Sequence, residues 1–567
     1  MRATEPVPHG PGHLPGPRGR SIFFHRPEVR LQLRRPGGGA ARRLGAAAVS
    51  LLLAGCGGGG DSVTPPPVPT PPAGRPALPQ TYRPSGHGAA GDVFVHLFEW
   101  RWADVAAECE NVLGPAGFAA VQVSPPQEHA VQAGGTWSER YQPVSYSVER
   151  SRSGTGAEFR EMAGRCRAAG VAIYVDAVIN HMTNVPSPGV GSNGTAYSKY
   201  SYPGLYGDGD FHPPCTVADY ASAANVQDCE LFGLPDLNTG SASVRAKIAD
   251  YLVSLARMGV AGFRIDAAKH VQQVELDSIV ARVDRTLAAE GRPLPYWFAE
   301  VSAGAGEALG PRDYFGVGYG SGAAADITEF VFRGTGNKFL GVNGEHVSQL
   351  NPGGPPGSRF SESAWGLMPA DKAVVFLENH DTQRQGGISY RDGAAFRLAN
   401  VWMLAQPYGY PSVLSGYAFD RSTQAGREMG PPSDAGGWTK PVACAASLET
   451  AANGDWVCEH RDPAIRRMVA FRRFVAGTDV NHWWDDGANA IAFSRGDRGF
   501  VAINRESARV TATVGTGLPA GTYCDLLAGG RAGGGCAGAS VTIDAAGMAR
   551  LDLAANTAVA VTAAAKI

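Results

Sequence analysis

Three carboxylates in this 567-residue chain close short apolar runs in the same way. Asp266 ends Gly262-Phe263-Arg264-Ile265-Asp266, Glu300 ends Phe298-Ala299-Glu300, and Asp381 ends Leu377-Glu378-Asn379-His380-Asp381. Continuous apolar runs of this length read as buried parallel strands, covered on both faces. In a barrel of such strands the carboxyl ends converge on one face, so the three acids meet there. Three acids held together are costly to keep charged, and the pKa of at least one must rise. A protonated acid beside an ionised carboxylate is the set that cleavage of a glycosidic bond needs. One group protonates the leaving oxygen while the other stands at the anomeric carbon. A single buried Asp or Glu is more often half of a structural ion pair; three at successive strand tips fit that account poorly.

The elements that must position these acids follow from the same pattern. Strand candidates are Val93–Glu99, Ala119–Ser124, Val171–Val178, Gly262–Asp266, Tyr296–Val301, Asp326–Phe330, Ala373–Leu377 and Pro411–Ser415. Helix-like stretches stand between them at Trp102–Leu113, Ala157–Ala169, Ser243–Met258, Val274–Ala289 and Gly393–Ala405. The alternation predicts an α/β chain folded as a (β/α)8 TIM barrel; a doubly wound sheet gives a similar pattern. About sixty irregular residues, His181–Gly240, interrupt it after the third strand and predict an excursion domain at the barrel's C-terminal face. After Thr478 short alternating segments with Gly-rich turns predict a C-terminal all-β sandwich domain. The expected divisions are a leader over 1–56, a linker over 57–88, barrel over 89–180 and 241–477, excursion over 181–240 and β domain over 478–567.

Composition narrows the class. The chain holds 75 Gly and 40 Pro, and its formal net charge of -2 offers no basic stripe for nucleic acid. The N-terminal extension, rich in Arg, Pro and Gly, reads as disordered. Arg42-Arg43 then precede a short apolar run, Leu44–Ala54, too short to span a bilayer. This is the pattern of a signal peptide. Its end, Leu53-Ala54-Gly55-Cys56, resembles a bacterial lipobox, which predicts cleavage before Cys56 and lipidation of that residue. The Pro-rich run Asp61–Pro79 would act as a semi-rigid spacer. Export follows, with the chain lipid-anchored at a bacterial cell envelope or secreted. Eight further cysteines, Cys109, Cys166, Cys215, Cys229, Cys444, Cys458, Cys524 and Cys536, suggest disulfides. Their spacing alone leaves all 105 pairings open.

Longer strings carry a specific resemblance. Val95-His96-Leu97-Phe98-Glu99-Trp100-Arg101-Trp102, Val121-Gln122-Val123-Ser124-Pro125-Pro126 and Arg140-Tyr141-Gln142-Pro143-Val144-Ser145-Tyr146 are three of them. Asp176-Ala177-Val178-Ile179-Asn180-His181, Gly262–His270 and Asn379-His380-Asp381-Thr382-Gln383-Arg384 complete the set. In this order they resemble the α-amylases of glycoside hydrolase family 13, in the subgroup of animal and actinobacterial enzymes, from about Val93 onward. The resemblance implies endo-acting, retaining hydrolysis of α-1,4-glucosidic bonds in starch, glycogen and maltooligosaccharides by a monomer. It implies Asp266 as nucleophile, Glu300 as acid/base and Asp381 as transition-state stabiliser. Around them it implies substrate contacts from Trp137, Tyr141, Gln142, His181, Arg264, Lys269, His270 and His380. A structural Ca2+ is implied on Asn180, Asp236 and the backbone carbonyls of Gln227 and His270. The disulfides implied are Cys109–Cys166, Cys215–Cys229, Cys444–Cys458 and Cys524–Cys536.

Two positions depart from the family pattern. Chloride-activated members hold the anion with an arginine, an asparagine and a second basic residue. Arg264 and Asn379 match the first two, but Ser412 stands third, so no tight chloride site is expected. Ser138 replaces a second tryptophan beside Trp137, which weakens an outer glucose subsite. A surface glycan-binding lipoprotein with a dead barrel would need a broken triad, and all three acids are intact. A glucan-transferring relative would carry the same acids.

Overall fold

The structure is a computed structural model describing residues 83–314, 325–355 and 359–567. The leader, the lipobox Cys56 and most of the Pro-rich linker lie outside the described residues. Eight parallel strands close a barrel: β1 (Phe94–Leu97), β2 (Ala120–Val123), β3 (Ala172–Ala177), β4 (Gly262–Ile265), β5 (Tyr296–Ala299), β6 (Asp326–Thr328), β7 (Ala373–Val375) and β8 (Tyr410–Ser415). They run in chain order around the barrel, and β1 closes it by pairing Phe94 with both Ala120 and Ser412. Each expected strand is present, mostly a residue or two shorter.

Inward-facing residues alternate along each strand. The lower layer is an aromatic plug of Phe94, Tyr174, Phe298 and Tyr410 with Ala120 and Val374, all buried. The Phe94 ring lies 4.8 Å from Tyr410 and 5.7 Å from both Tyr174 and Phe298. Gly262 is required here, since a Cβ on it would meet Tyr174 Cδ1 at 2.6 Å. Two residues further along their strands come His96, Gln122, Asp176, Arg264 and Ser412, so the next layer is polar.

Helices α1 (Trp102–Glu108), α2 (Gly156–Ala168), α4 (Ala242–Arg257), α5 (Gln273–Ala289) and α7 (Ala394–Ala405) fall where expected. Thr155 and Glu158 form a capping box at the start of α2. The stretch read as one helix to Leu113 widens into a π-turn at Cys109–Leu113, just before Pro115, which offers no N–H to continue the ladder. The alternation also lapses after β5, where the described residues before β6 hold only the turn Pro311–Asp313. Among the helices that went unread in the sequence are α6 (Gly334–Leu340) and α8 (Pro463–Phe474). For α8 the signals exist: Asp462 caps it, Pro463 starts it, and Ile465, Met468, Val469 and Phe471 form a buried stripe.

The excursion after β3 carries α3 (Ala223–Asp228) and a small hairpin pairing Gly189–Val190 with Ala196–Tyr197. The C-terminal strands are β9 (Val480–Asp485), β10 (Ala490–Arg495), β11 (Gly499–Asn504), β12 (Val510–Gly515), β13 (Gly521–Cys524), β14 (Ser540–Ile543), β15 (Met548–Leu553) and β16 (Thr557–Thr562). They form two antiparallel sheets, ordered β9-β10-β11-β16 and β12-β15-β14-β13. Phe500, Ala502 and Val559 face the second sheet, whereas Ile491, Phe493, Val501 and Ile503 join the barrel's core. All four disulfides form with the pairing the family resemblance implies. Among the described residues, no helix is long and apolar enough to cross a membrane.

Candidate active site

Arg264 is the centre of the polar layer. Its Nη1 lies 2.6 Å from Asp176 Oδ1 and 2.7 Å from Asp266 Oδ1, and its Nη2 lies 2.8 Å from Glu300 Oε1. One planar guanidinium thus fixes carboxylates from β3, β4 and β5. The chain turns sharply after Asp266, where Ala267 takes the left-handed φ of 48°. That turn aims the Ala267 N–H at Glu300 Oε2, 3.1 Å away. Asp381 arrives from the loop after β7. The Asn379 side-chain oxygen accepts the N–H groups of Asp381 and Thr382, an Asx turn that sets the direction of Asp381. His380 Nε2 lies 3.2 Å from Asp381 Oδ2.

Aromatic walls flank the acids. Tyr141 and His380 stack at 5.0 Å between ring centroids, and Trp137 lies 6.0 Å from the first and 5.8 Å from the second. The Tyr141 hydroxyl donates to Asp176 Oδ2 at 2.7 Å, and His181 Nε2 lies 3.0 Å from the Tyr141 carbonyl. On the opposite side Lys269 pairs with Glu307 while resting 4.8 Å over the Tyr220 ring of the excursion. Gln142 is buried and accepts from the Thr183 hydroxyl at 3.0 Å, so its side chain braces the wall. Asp176 and Arg384 escaped the reading of the sequence. The signal for Asp176 was a charged residue at an inward position two places beyond Tyr174. Arg384 donates to the His380 carbonyl at 2.7 Å and lies 4.7 Å over the Trp137 ring. Beneath the acids, a cavity of about 30 Å³ is bordered by Arg264, Asn379 and Ser412.

The four residues read as calcium ligands gather where the excursion meets the barrel. Asp236 pairs with His181 across an isolated bridge, and Asn180 precedes that histidine, with its Nδ2 3.3 Å from His181 Nδ1. His270 Nδ1 lies 2.8 Å from the Val226 carbonyl in α3, next to Gln227. The Gln227 side chain turns away, donating to the Tyr314 hydroxyl at 2.9 Å. Asp236 Oδ2 meets His212 Nδ1 at 2.7 Å, while its buried Oδ1 has no hydrogen-bond partner. Among the described residues no cluster of three or more Asp, Glu, His or Cys forms a metal site. One carboxylate with amide and carbonyl oxygens is instead a donor set for a hard cation, and the orphaned Oδ1 fits one.

Burial and mutual repulsion govern the charges. Burial first, then Glu300, Asp176 and Asp381, lift the Asp266 carboxyl well above its usual range against the pull of Arg264. Burial and then Glu300 push Asp381 up to about 7. Burial lowers His96 to about 3 and His181 to about 4, so both imidazoles are neutral. Burial likewise raises Asp176, so Asp176, Asp266 and Asp381 titrate as a set around one guanidinium. For Asp381 this has a stability consequence. Its contribution is fully present below the ordinary value of 3.8 and is lost as pH rises through about 7. Asp381→Asn should therefore stabilise the fold more at pH 8.5 than at pH 5 relative to the parent chain. Denaturant melts at the two pH values check this; an equal difference at both would contradict the electrostatic account.

Comparison with known proteins places the chain. A family described as "Alpha amylase, catalytic domain" matches residues 115–297, and one described as "Alpha amylase, C-terminal all-beta domain" matches residues 482–564. An α-amylase of Streptomyces violaceus is 44% identical over 471 residues, covering 83% of this chain and 73% of that one. An α-amylase of Tenebrio molitor is 42% identical over 469 residues, covering 81% and 94%. The solved structure of a mutant α-amylase I from Eisenia fetida in complex with maltohexaose superposes with a TM-score of 0.74 at 34% identity, covering 86% of this chain and 99% of that one. The strand-tip acids, the barrel that presents them and these relatives together identify the chain as a member of the α-amylase family, glycoside hydrolase family 13.

Proposed function

We propose that the chain is an endo-acting, retaining α-amylase that hydrolyses α-1,4-glucosidic bonds in starch, glycogen and maltooligosaccharides. The observation that carries this reading is the contact of Arg264 with both Asp266 and Glu300, at the C-terminal mouth of the barrel. Asp266 attacks the anomeric carbon while Glu300 protonates the glycosidic oxygen, and the leaving chain departs from a glycosyl ester on Asp266. Glu300 then takes a proton from water, whose oxygen attacks the same carbon and frees Asp266. Two inversions leave the anomeric configuration unchanged. Asp381, His181 and His380 hold hydroxyls of the reacting sugar, and the neutral imidazoles suit that role. Trp137 and Tyr141 stack on the glycone side, with Gln142 supporting them, and Lys269 and His270 face the leaving chain. Glu300→Gln is expected to lower kcat at least about 10³-fold while maltooligosaccharide binding persists. Rising reducing ends on soluble starch report hydrolysis by the parent enzyme; flat reducing ends with redistributed chain lengths would mean glucan transfer instead.

Asn180, Asp236 and the carbonyls of Gln227 and His270 would hold a structural Ca2+ that ties the excursion to the barrel. Bound cation stabilises the folded state by mass action. Chelation should lower the Tm and added Ca2+ restore it, whereas Asp236→Asn should leave the Tm nearly insensitive to Ca2+. A parent Tm unmoved by both chelator and Ca2+ would refute the site.

The small cavity of Arg264, Asn379 and Ser412 lacks the second cation that a tight chloride site needs, and Arg264 already serves three carboxylates. Activity is accordingly expected to be chloride-independent. A severalfold rise when millimolar chloride is added to chloride-stripped enzyme would overturn this.

Four disulfides suit an exported protein. Lipidation at Cys56 would tether it to the cell envelope.

A further inference from the structure

The loop after β8 builds a second concave surface beside the cleft. Ser433 and Thr439 pair across a tight reversal, and the Asp434 N–H donates to the Trp438 carbonyl at 2.9 Å. Asp434 Oδ1 accepts the N–H groups of Gly436 and Trp438 at 2.8 and 3.0 Å. Gly437 makes the turn at a φ of 78°. This loop is pressed against the loop that precedes Trp137, since a Cβ on Gly430 would fall 1.9 Å from the Gly135 carbonyl. Half-buried Trp438 therefore stands on a fixed backbone. The Arg150 guanidinium lies 4.4 Å from its ring and donates to the Gly436 carbonyl at 3.2 Å.

Indole and guanidinium border a cavity of about 490 Å³, within the ~300–1,000 Å³ range of small-ligand sites. Its lining includes buried donors with nothing to bond. The Ser151 hydroxyl and the Arg152 Nε have no hydrogen-bond partner, although Ser151 is 1% and Arg152 4% exposed. Arg152 is paired through Nη2 with Glu139 and through Nη1, at 3.8 Å, with Glu99, so the cavity holds unused donors without a large excess of positive charge. Buried donors left unbonded are costly, and a guest rich in hydroxyl oxygens would satisfy them. A flat ring beside convergent donors and acceptors is the chemistry that recognises a neutral pyranose. The Thr136–Met429 bridge lies between this cavity and Trp137, whose ring belongs to the reacting cleft.

We propose that this cavity is an accessory α-glucan site, with Trp438 as its stacking platform, that grips an unreacted stretch of polymeric substrate beside the cleft. The inference rests on the amylase reading above. The test compares soluble starch with a short chromogenic maltooligosaccharide, using parent enzyme, Trp438→Ala and Trp438→Phe. Loss of one aromatic contact should raise KM for starch about fivefold in Trp438→Ala. The kcat/KM for the short substrate should stay the same, and Trp438→Phe should recover most of the loss. Adsorption to starch granules, measured in a Glu300→Gln background, should fall in parallel. Circular dichroism melts confirm that each variant is folded. If the parent cleaves both substrates and Trp438→Ala changes neither, or both alike, the accessory site is wrong while the amylase reading stands. If the parent cleaves neither, both readings fall.

Discussion

One guanidinium governs the catalytic end of this barrel. Arg264 is almost wholly buried, yet it is charge-paired with Asp176, Asp266 and Glu300 at once. A buried cation of this kind persists only if carboxylates surround it, and carboxylates so close persist only because the cation is there. Much of the architecture reads as support for that bargain between charges. The aromatic plug beneath the polar layer fills the barrel's lower end. Gly262 gives up its side chain so that the Tyr174 ring can close that plug. Asp176, itself held by the Tyr141 hydroxyl, steadies Arg264 from the far side. A lysine at 264 would keep the charge but lose the fork that reaches three acids from two nitrogens.

Much of this was legible in the residues. The eight strands are continuous apolar runs, and the acids stand at their ends because the barrel opens there. The strings around Tyr141, Asn180, Asp266 and Asp381 carried the family resemblance. What escaped had a different origin. Asp176 lies within a strand, and only the inward alternation from Tyr174, visible once the register is known, marks it as part of the polar layer. The widening of the helix to a π-turn at Cys109–Leu113, ahead of Pro115, is a local detail that helix propensity summed over the stretch does not foresee. Helix α8 was readable from its Asp-Pro start and its apolar stripe.

The excursion explains how a barrel with short strands makes a deep cleft. Its residues reach the turn after β4 through His270 and Val226, the wall through Thr183 and Gln142, and the loop after β5 through Tyr220 and Ala308. The loops that form the cleft are thus cross-braced by one segment. Asp236 sits where that segment rejoins the barrel, bridged to His181 at the segment's start.

The C-terminal sandwich is bound to the barrel more closely than a separate module would be. Ile491, Phe493, Val501 and Ile503 belong to the same hydrophobic core as the barrel helices. Buried Arg495 of β10 donates to the Ala405 carbonyl at the end of α7 and to the Val475 carbonyl just after α8. Cutting the chain near residue 478 would therefore bare apolar surface and take from Arg495 its Ala405 and Val475 acceptors. The two parts cannot be traded like beads on a string, because each completes the apolar core of the other.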